Sequence, residues 1–231
     1  MKNLILLSII GLLNILIGQK MENNSQNSIE VTMSGKIDHQ VWSAGQVATV
    51  SFNRFPVSVE EFLKVREQIG AEPHGCIALQ VMAYEMFRRD KTIGKECIEL
   101  INLKVNVMQT VNRLNELNRP NDSYARPYQM AAYLKGATWE NGYTPNKPYT
   151  ITVRTRPGVK HENSNTFQAL VLYLDINVEG GKDKGWSPVS VVKTLKPGEP
   201  SEGKYFIIND SSDLYSQVRE VSFAKPFVGL D

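Results

Sequence analysis

The chain opens with an apolar run of the kind that directs export. Lys2 precedes residues 4–17, an apolar stretch that only three small or polar residues interrupt. As a helix this stretch would span about 21 Å, short of the ~30 Å hydrocarbon core of a bilayer, and no comparable run follows. We therefore predict a signal peptide over residues 1–19, a solvated linker rich in Asn, Ser and Gln over residues 20–28, and no stable membrane insertion.

After the linker, the spacing of apolar residues changes from alternating to helical. Loose alternation over residues 29–55 indicates one or two short strands. Ser58, with Glu61 three positions later, has the pattern of a capping box and predicts a helix that Gly70 ends. From Pro73 to Arg89, apolar residues recur every three or four positions behind a proline suited to a first turn, which predicts a long core-facing helix.

Two shorter segments complete the helical half. Residues 94–103 predict a third helix. Apolar residues spaced three and four apart between Val107 and Leu117 predict a fourth helix, or a helical turn with a long tail, and the Arg-Pro-Asn-Asp sequence at residues 119–122 breaks it.

Beyond Pro148 apolar residues recur at every second position, which predicts strands. Ile151 and Val153 alternate with polar residues, so one face of this strand should be buried and the other wet. Residues 169–178 are apolar on both faces, as is typical of a central strand. Its predicted neighbours are residues 188–195 and 204–208, and residues 218–223 are a candidate last strand.

Helices followed by antiparallel strands predict an α+β fold. We expect an N-terminal helical layer packed on a C-terminal antiparallel sheet of about four to six strands. Because the helical half cannot easily bury its apolar stripe alone, both layers should form a single domain over residues 29–231.

The composition excludes several classes of protein. With 42% hydrophobic and 22% charged residues, the chain resembles neither a disordered nor a low-complexity protein. A formal net charge of +2 is not the electrostatic footprint of a nucleic-acid or membrane-surface binder. We expect a soluble periplasmic or extracellular protein whose partner is a peptide, a glycan or an envelope protein, and not a nucleic acid.

Five stretches of the sequence, in order, resemble an uncharacterised bacterial family. They are Phe55-Pro56, the Gly-Ala-Thr-Trp-Glu-Asn-Gly-Tyr-Thr-Pro segment at 136–145, Pro-Tyr-Thr-Ile at 148–151, Ser187-Pro188-Val189 and the segment from Asn209 to Tyr215. The family is a domain of unknown function found in Bacteroides-type gut anaerobes and their relatives, and the resemblance runs from about residue 55 to residue 221. Family members often carry an Arg after the Ser-Pro pair and a Trp in the following strand, where this chain has Val189 and Tyr205-Phe206. The resemblance implies an α+β fold and supplies no catalytic residue.

Aromatic residues are densest where the helical half meets the strands. Trp139, Tyr143 and Tyr149 alternate there with Gly, Asn and Pro. One interpretation is a turn in which Asn141 and Gly142 tolerate positive φ and the rings cap the core. The other is a shallow aromatic platform for a sugar or peptide, because flat rings stack on apolar faces at little entropic cost.

Two arginines add a second candidate feature. Arg154 and Arg156 project from the same side of one predicted strand, because strand side chains alternate with a period of two. Their guanidinium groups could hold a carboxylate or phosphate, or could be solvated charges on an edge strand. Together with Trp139, Tyr143 and Tyr149 they are the candidate ligand-binding residues.

The sequence shows no recognised catalytic motif. The histidines are His39, His74 and His161, and none lies in a nucleophile–base or zinc-ligand pattern. His74 and Cys76 are two positions apart at a helix start, so their side chains would point about 200° apart. We expect structural caps or surface residues, no metal and no cofactor.

The alternative to a non-enzymatic binding module is a hydrolase acting on an envelope or dietary polymer. Such enzymes use two carboxylates placed about 5–10 Å apart. Asp175, Glu179, Asp210 and Asp213 are the candidates, although the residues around Asp210 are also typical of a turn and a helix cap.

The two cysteines leave two readings open. Cys76 falls on the apolar face of the long helix and Cys97 on the next segment, so an antiparallel helix pair could bring them together. Export to an oxidising compartment would permit a disulfide. Free buried cysteine is equally an ordinary core residue.

Overall fold

A computed structural model describes residues 28–38, 40, 43–120, 122–164, 169–181, 185–215, 218–222 and 224–230. The predicted signal peptide, the linker up to residue 27, His39 and Phe223 lie outside the described residues. Among the described residues no helix is long and apolar enough to cross a membrane.

The described part of the chain forms four α-helices and seven β-strands. The helices are α1 (Val59–Ile69), α2 (Pro73–Arg89), α3 (Lys91–Ile101) and α4 (Lys104–Leu117). The strands are β1 (Val31–Gly35), β2 (Val47–Phe52), β3 (Tyr149–Thr155), β4 (Glu162–Ser164), β5 (Ala169–Asn177), β6 (Trp186–Thr194) and β7 (Ile207–Asp210). The α+β class is confirmed.

All seven strands form one sheet with antiparallel pairing throughout. The order is β1-β2-β3-β5-β6-β7, and β4 pairs with β5. The sheet is larger than expected because β2, which precedes the helices, pairs with β3, and β1 pairs with β2 at the edge. The residues around 204–208 contribute β7, which pairs with β6 and not with the central strand β5. Val218 forms only an isolated bridge with Gly181, so the candidate last strand is not seen among the described residues.

Local capping explains where the helices begin. At α1 the Ser58 hydroxyl accepts the Glu61 N–H (3.2 Å), as predicted. The Glu61 carboxylate does not return to the cap: it accepts the Val57 N–H (3.0 Å) and two N–H groups of Arg54 (2.8 and 2.9 Å). Helix α2 has the predicted bounds. Helix α3 begins three residues earlier than predicted, because the Asp90 side chain caps it.

Helix α2 lies at the centre of the core. Fifteen of its 17 residues are buried. The core cluster joins it to the inward faces of β3, β5 and β6, for example at Ile151, Leu174 and Val191. The opposite face of the sheet, here called the outer face, carries polar side chains such as Thr150, whose hydroxyl lies 2.9 Å from that of Ser51.

Candidate functional site

The aromatic segment is mostly part of the core. Tyr143 is fully buried, its ring stacks on Tyr128 (centroids 4.7 Å apart, planes at 6°), and its hydroxyl donates to the Arg219 carbonyl (2.6 Å). Burial raises the pKa of the Tyr143 hydroxyl, which therefore stays a neutral donor. Tyr149 is also buried, with its ring 5.4 Å from Phe52 and 5.1 Å from Phe55.

The turn itself differs in detail from the sequence-based expectation. Trp139 begins a one-turn 3₁₀ helix, and Asn141 closes its capping box with Thr138. The residues with positive φ are Gly142 (68°) and Tyr143 (56°), not Asn141. The Trp139 ring is half-buried against the core. The structure thus has the arrangement in which rings cap the core, and buried Tyr143 and Tyr149 rings are not available to stack on a ligand.

The two arginines do lie together on the outer face, held by one aspartate. Asp175 on β5 pairs in register with Arg154 on β3. Its Oδ2 lies 3.1 Å from both Nε and Nη2 of Arg154, and its Oδ1 accepts Nε–H of Arg156 (3.2 Å). Arg156 also donates Nη2–H to the Leu174 carbonyl (3.1 Å). Because these bonds fix both side chains, each guanidinium is held at a set position and orientation.

Two aromatic rings flank the arginine pair. The Arg154 guanidinium carbon lies 4.0 Å from the ring centre of Trp186, and that of Arg156 lies 5.7 Å from Tyr173. We call these five residues, Arg154, Arg156, Tyr173, Asp175 and Trp186, the arginine–aromatic surface. The Tyr173 hydroxyl donates to the Glu162 carboxylate on β4, so the two guanidinium groups are balanced by the carboxylates of Asp175 and Glu162. The Trp186 ring is half-buried, so part of its surface faces solvent.

Two of the candidate carboxylates, Asp175 and Glu179, have other partners. Both oxygens of Asp175 are bound by the arginines. Glu179 accepts a hydrogen bond from the Asn177 amide (2.7 Å). Asp210 lies at the end of β7, and the Asp213 side chain lies outside the described residues. Among the described residues no group of three or more His, Cys, Asp and Glu side chains could hold a metal ion.

Both cysteines are free and buried. The Cys97 thiol lies 3.9 Å from the sulfur of Met86 and not in a disulfide with Cys76. Burial raises the pKa of Cys76, and it raises the pKa of Cys97 to about 12, so both are neutral thiols at physiological pH. Two free thiols in a count on denatured, unreduced protein would match this arrangement.

The two described histidines lie in buried and half-buried positions. His74 was expected at a cap or on the surface but lies in the core, 2% exposed, in the first turn of α2. His161 is half-buried in the turn before β4. Burial lowers the pKa of both side chains, so both are neutral at pH 7.

A cleft that the sequence-based analysis did not identify lies between α4 and β7. Its volume is about 420 Å³. One wall carries a polar stripe at helical spacing, Asn102, Asn106, Thr110 and Arg113, and Asn209 stands on the opposite wall. The spacing of Asn106, Thr110 and Arg113 along α4 is visible in the sequence, but their position opposite β7 depends on tertiary packing.

The comparisons with known proteins add one finding. A family model described as "Domain of unknown function (DUF6935)" matches residues 54–222. No curated protein and no solved structure matches the chain.

Proposed function

We propose that this chain, which belongs to the family Domain of unknown function (DUF6935), is an exported, non-enzymatic binding module for a peptide or a glycan. The observation that carries the proposal is the arginine–aromatic surface. Arg154 lies 4.0 Å over the Trp186 ring while Asp175 holds it together with Arg156. Fixed polar groups beside a flat ring are a common way to bind such ligands, because little conformational entropy is lost on binding.

The chemistry of the surface indicates what the ligand carries. The Nη1 group of each arginine has no hydrogen-bond partner among the described residues, so donors remain for a ligand. These remaining guanidinium N–H groups favour a ligand with a strong acceptor such as a carboxylate. The Trp186 ring favours a flat apolar face beside it. An acidic sugar residue and an acidic peptide segment both meet these requirements.

The hydrolase alternative finds less support. A carboxylate pair needs one free nucleophile or base and one acid facing the same bond. Asp175, the carboxylate on this surface, has both oxygens engaged by arginine N–H groups. Turnover of a polymer by the purified protein, lost on Asp210→Asn, would nevertheless favour the hydrolase.

Binding assays on an array test the proposal. The array carries uronic-acid oligosaccharides, neutral oligosaccharides of the same length, and acidic and neutral peptides. We expect an acidic ligand to be retained, and Trp186→Ala and Arg154→Lys to weaken its affinity about tenfold, a loss of ~1.4 kcal/mol. Arg154→Lys keeps the charge but removes the planar fork.

The matched control is Arg119→Lys, which changes an exposed arginine in a surface ion pair with Asp122. It should bind like the wild type. Thermal unfolding of each variant verifies that the fold is intact. No retained ligand, or equal losses in the control and in the surface variants, would refute the proposal.

A further inference from the structure

The α4–β7 cleft differs from the arginine–aromatic surface in position and chemistry. It lies at the edge strand of the sheet, where Leu103 donates its N–H to the Ile208 carbonyl (3.0 Å). Its volume of about 420 Å³ is in the usual range for small-molecule sites, ~300–1,000 Å³. We propose that the cleft is a second binding site, which takes a neutral polyhydroxylated ligand, namely one sugar unit of a glycan.

A buried amide without a full set of partners points to a ligand here. Asn102 lines the cleft and is 1% exposed. Its Nδ2 lies 3.3 Å from the Thr110 hydroxyl and 3.5 Å from the Tyr84 hydroxyl, whereas its Oδ1 has no partner among the described residues. If the amide is rotated by 180°, its oxygen faces the two hydroxyls and its nitrogen is the atom without a partner. Since nearly all buried polar atoms are hydrogen-bonded, the unpartnered end of the Asn102 amide gains a partner if the side chain turns toward a ligand hydroxyl in the cleft.

A chain of hydrogen bonds behind Asn102 fixes the floor of the cleft. The Gln80 amide donates to the Tyr84 hydroxyl (3.0 Å), which in turn lies 3.4 Å from the Tyr215 hydroxyl. The rings of Tyr84 and Tyr215 are stacked, with centroids 6.2 Å apart. Burial raises the pKa of Tyr215, so its hydroxyl remains protonated. The floor of the cleft beside Asn102 and Tyr215 is therefore held by neutral groups whose positions are set before any ligand arrives.

A hydrogen bond also joins the α4 wall of the cleft to the β7 wall. Asn106 on α4 donates its amide N–H to the Asn209 carbonyl (2.5 Å), and Asn209 donates its own amide to the Ser190 hydroxyl (3.0 Å). These bonds use the nitrogen atoms of both side chains. Their amide oxygens take no part in these bonds, so each side chain keeps an acceptor.

The balance of charge and polarity selects the ligand class. The charged side chains that line the cleft are one of each sign, Arg113 and Asp210, and Arg113 is also paired with Glu116 (3.2 Å). A charged ligand gains no net attraction from such a lining. Amides and hydroxyls both donate and accept, which matches the neighbouring hydroxyls of a sugar. The apolar lining is small, at Ile208 and the Tyr215 ring, and suits one sugar face better than an apolar side chain.

Side-chain amide signals of the exported protein in ¹⁵N NMR spectra test this site directly. The probes are the methyl glycosides of glucose, galactose, mannose and N-acetylglucosamine, with a neutral Gly-Ser peptide for comparison. We expect at least one glycoside to shift the Asn102 and Asn106 amide signals saturably, and the peptide to leave them in place. Asn106→Ala should weaken binding about 3- to 10-fold, the usual worth of one hydrogen bond.

Asn112→Ala is the matched control, since Asn112 is an exposed asparagine on α4 that does not line the cleft. It should bind like the wild type, and so should Arg154→Lys on the other surface. A second readout is the melting temperature, which a binding glycoside should raise in the wild type but not in Asn102→Leu. The absence of saturable shifts with all four glycosides, a shift with the peptide alone, or unchanged affinity in Asn106→Ala would overturn the proposal. None of these results bears on the arginine–aromatic surface.

Discussion

Single residues show what strand periodicity can and cannot determine. Arg154 and Arg156 lie on one face because alternation fixes their side of the strand. Whether Tyr143 is buried or exposed could not be predicted in this way, since a ring with a hydroxyl suits either the core or a surface. Its contact with Tyr128 is set by tertiary packing. Trp186 was missed because only the pairing of β3, β5 and β6 brings it to Arg154.

The buried histidine predicts how stability depends on pH. Burial lowers the pKa of His74 below its ordinary value of 6.5. The unfolded chain therefore binds a proton near pH 6.5, and the folded chain does so only at lower pH. The contribution of neutral His74 to the free energy of unfolding is fully present above pH 6.5 and is lost as the pH falls below it. We expect the melting temperature to fall between pH 7 and pH 5, and to fall less in His74→Leu.

His161→Gln serves as the comparison, because it leaves His74 unchanged. The pKa of His161 is also lowered, but its side chain is only half-buried, so this variant should retain most of the pH dependence. Equal pH profiles for the wild type and His74→Leu would show that His74 does not titrate as described.

At the scale of elements, the helices were predicted best where a cap and an apolar stripe agree. Helix α2 runs from Pro73 to Arg89 as predicted. For α3, the sequence predicts Gly94 as the first residue, but this glycine lies inside the helix. There a Cβ atom would come within 2.1 Å of the Phe87 Cα in α2. The glycine permits close packing of the two helices, a reason that helical periodicity alone does not reveal.

Gly94→Ala tests this reading of the α2–α3 contact. Alanine favours an isolated helix by ~1 kcal/mol, so propensity alone predicts stabilisation. Because the added methyl group would collide with backbone atoms of Phe87, we expect a net loss of about 1–3 kcal/mol in the free energy of unfolding. Chemical denaturation measures it. Lys95→Ala, at an exposed position of the same helix, should change stability by less than ~0.5 kcal/mol, and a Gly94→Ala variant at least as stable as the wild type would contradict the packing argument.

At the scale of the whole molecule, the class of fold followed from the order of the elements but the strand order did not. Ser51 on β2 and Thr150 on β3 are 99 positions apart in sequence and yet pair in the sheet. Such long-range pairing depends on how the helices fold back onto the sheet. Alternation within each strand carries no information about its neighbours. The α4–β7 cleft escaped prediction for the same reason.

A shared core predicts that the helices and the sheet unfold together. One core cluster includes Val50 from β2, Met82 from α2 and Leu174 from β5. We expect a single transition on heating, with the same midpoint in far- and near-ultraviolet circular dichroism, and no effect of EDTA. Two transitions, or two folded fragments after limited proteolysis, would show that the chain does not form a single domain.

The most direct test of the proposed binding function is the indole N–H signal of Trp186 during titration with the best acidic ligand from the array. If the arginine–aromatic surface binds it, this signal shifts saturably, the Trp139 signal stays in place, and Arg154→Lys weakens the shift about tenfold at a fixed ligand concentration well below saturation. If the ligand binds while the Trp186 signal does not move, the arginine–aromatic surface is not the binding site.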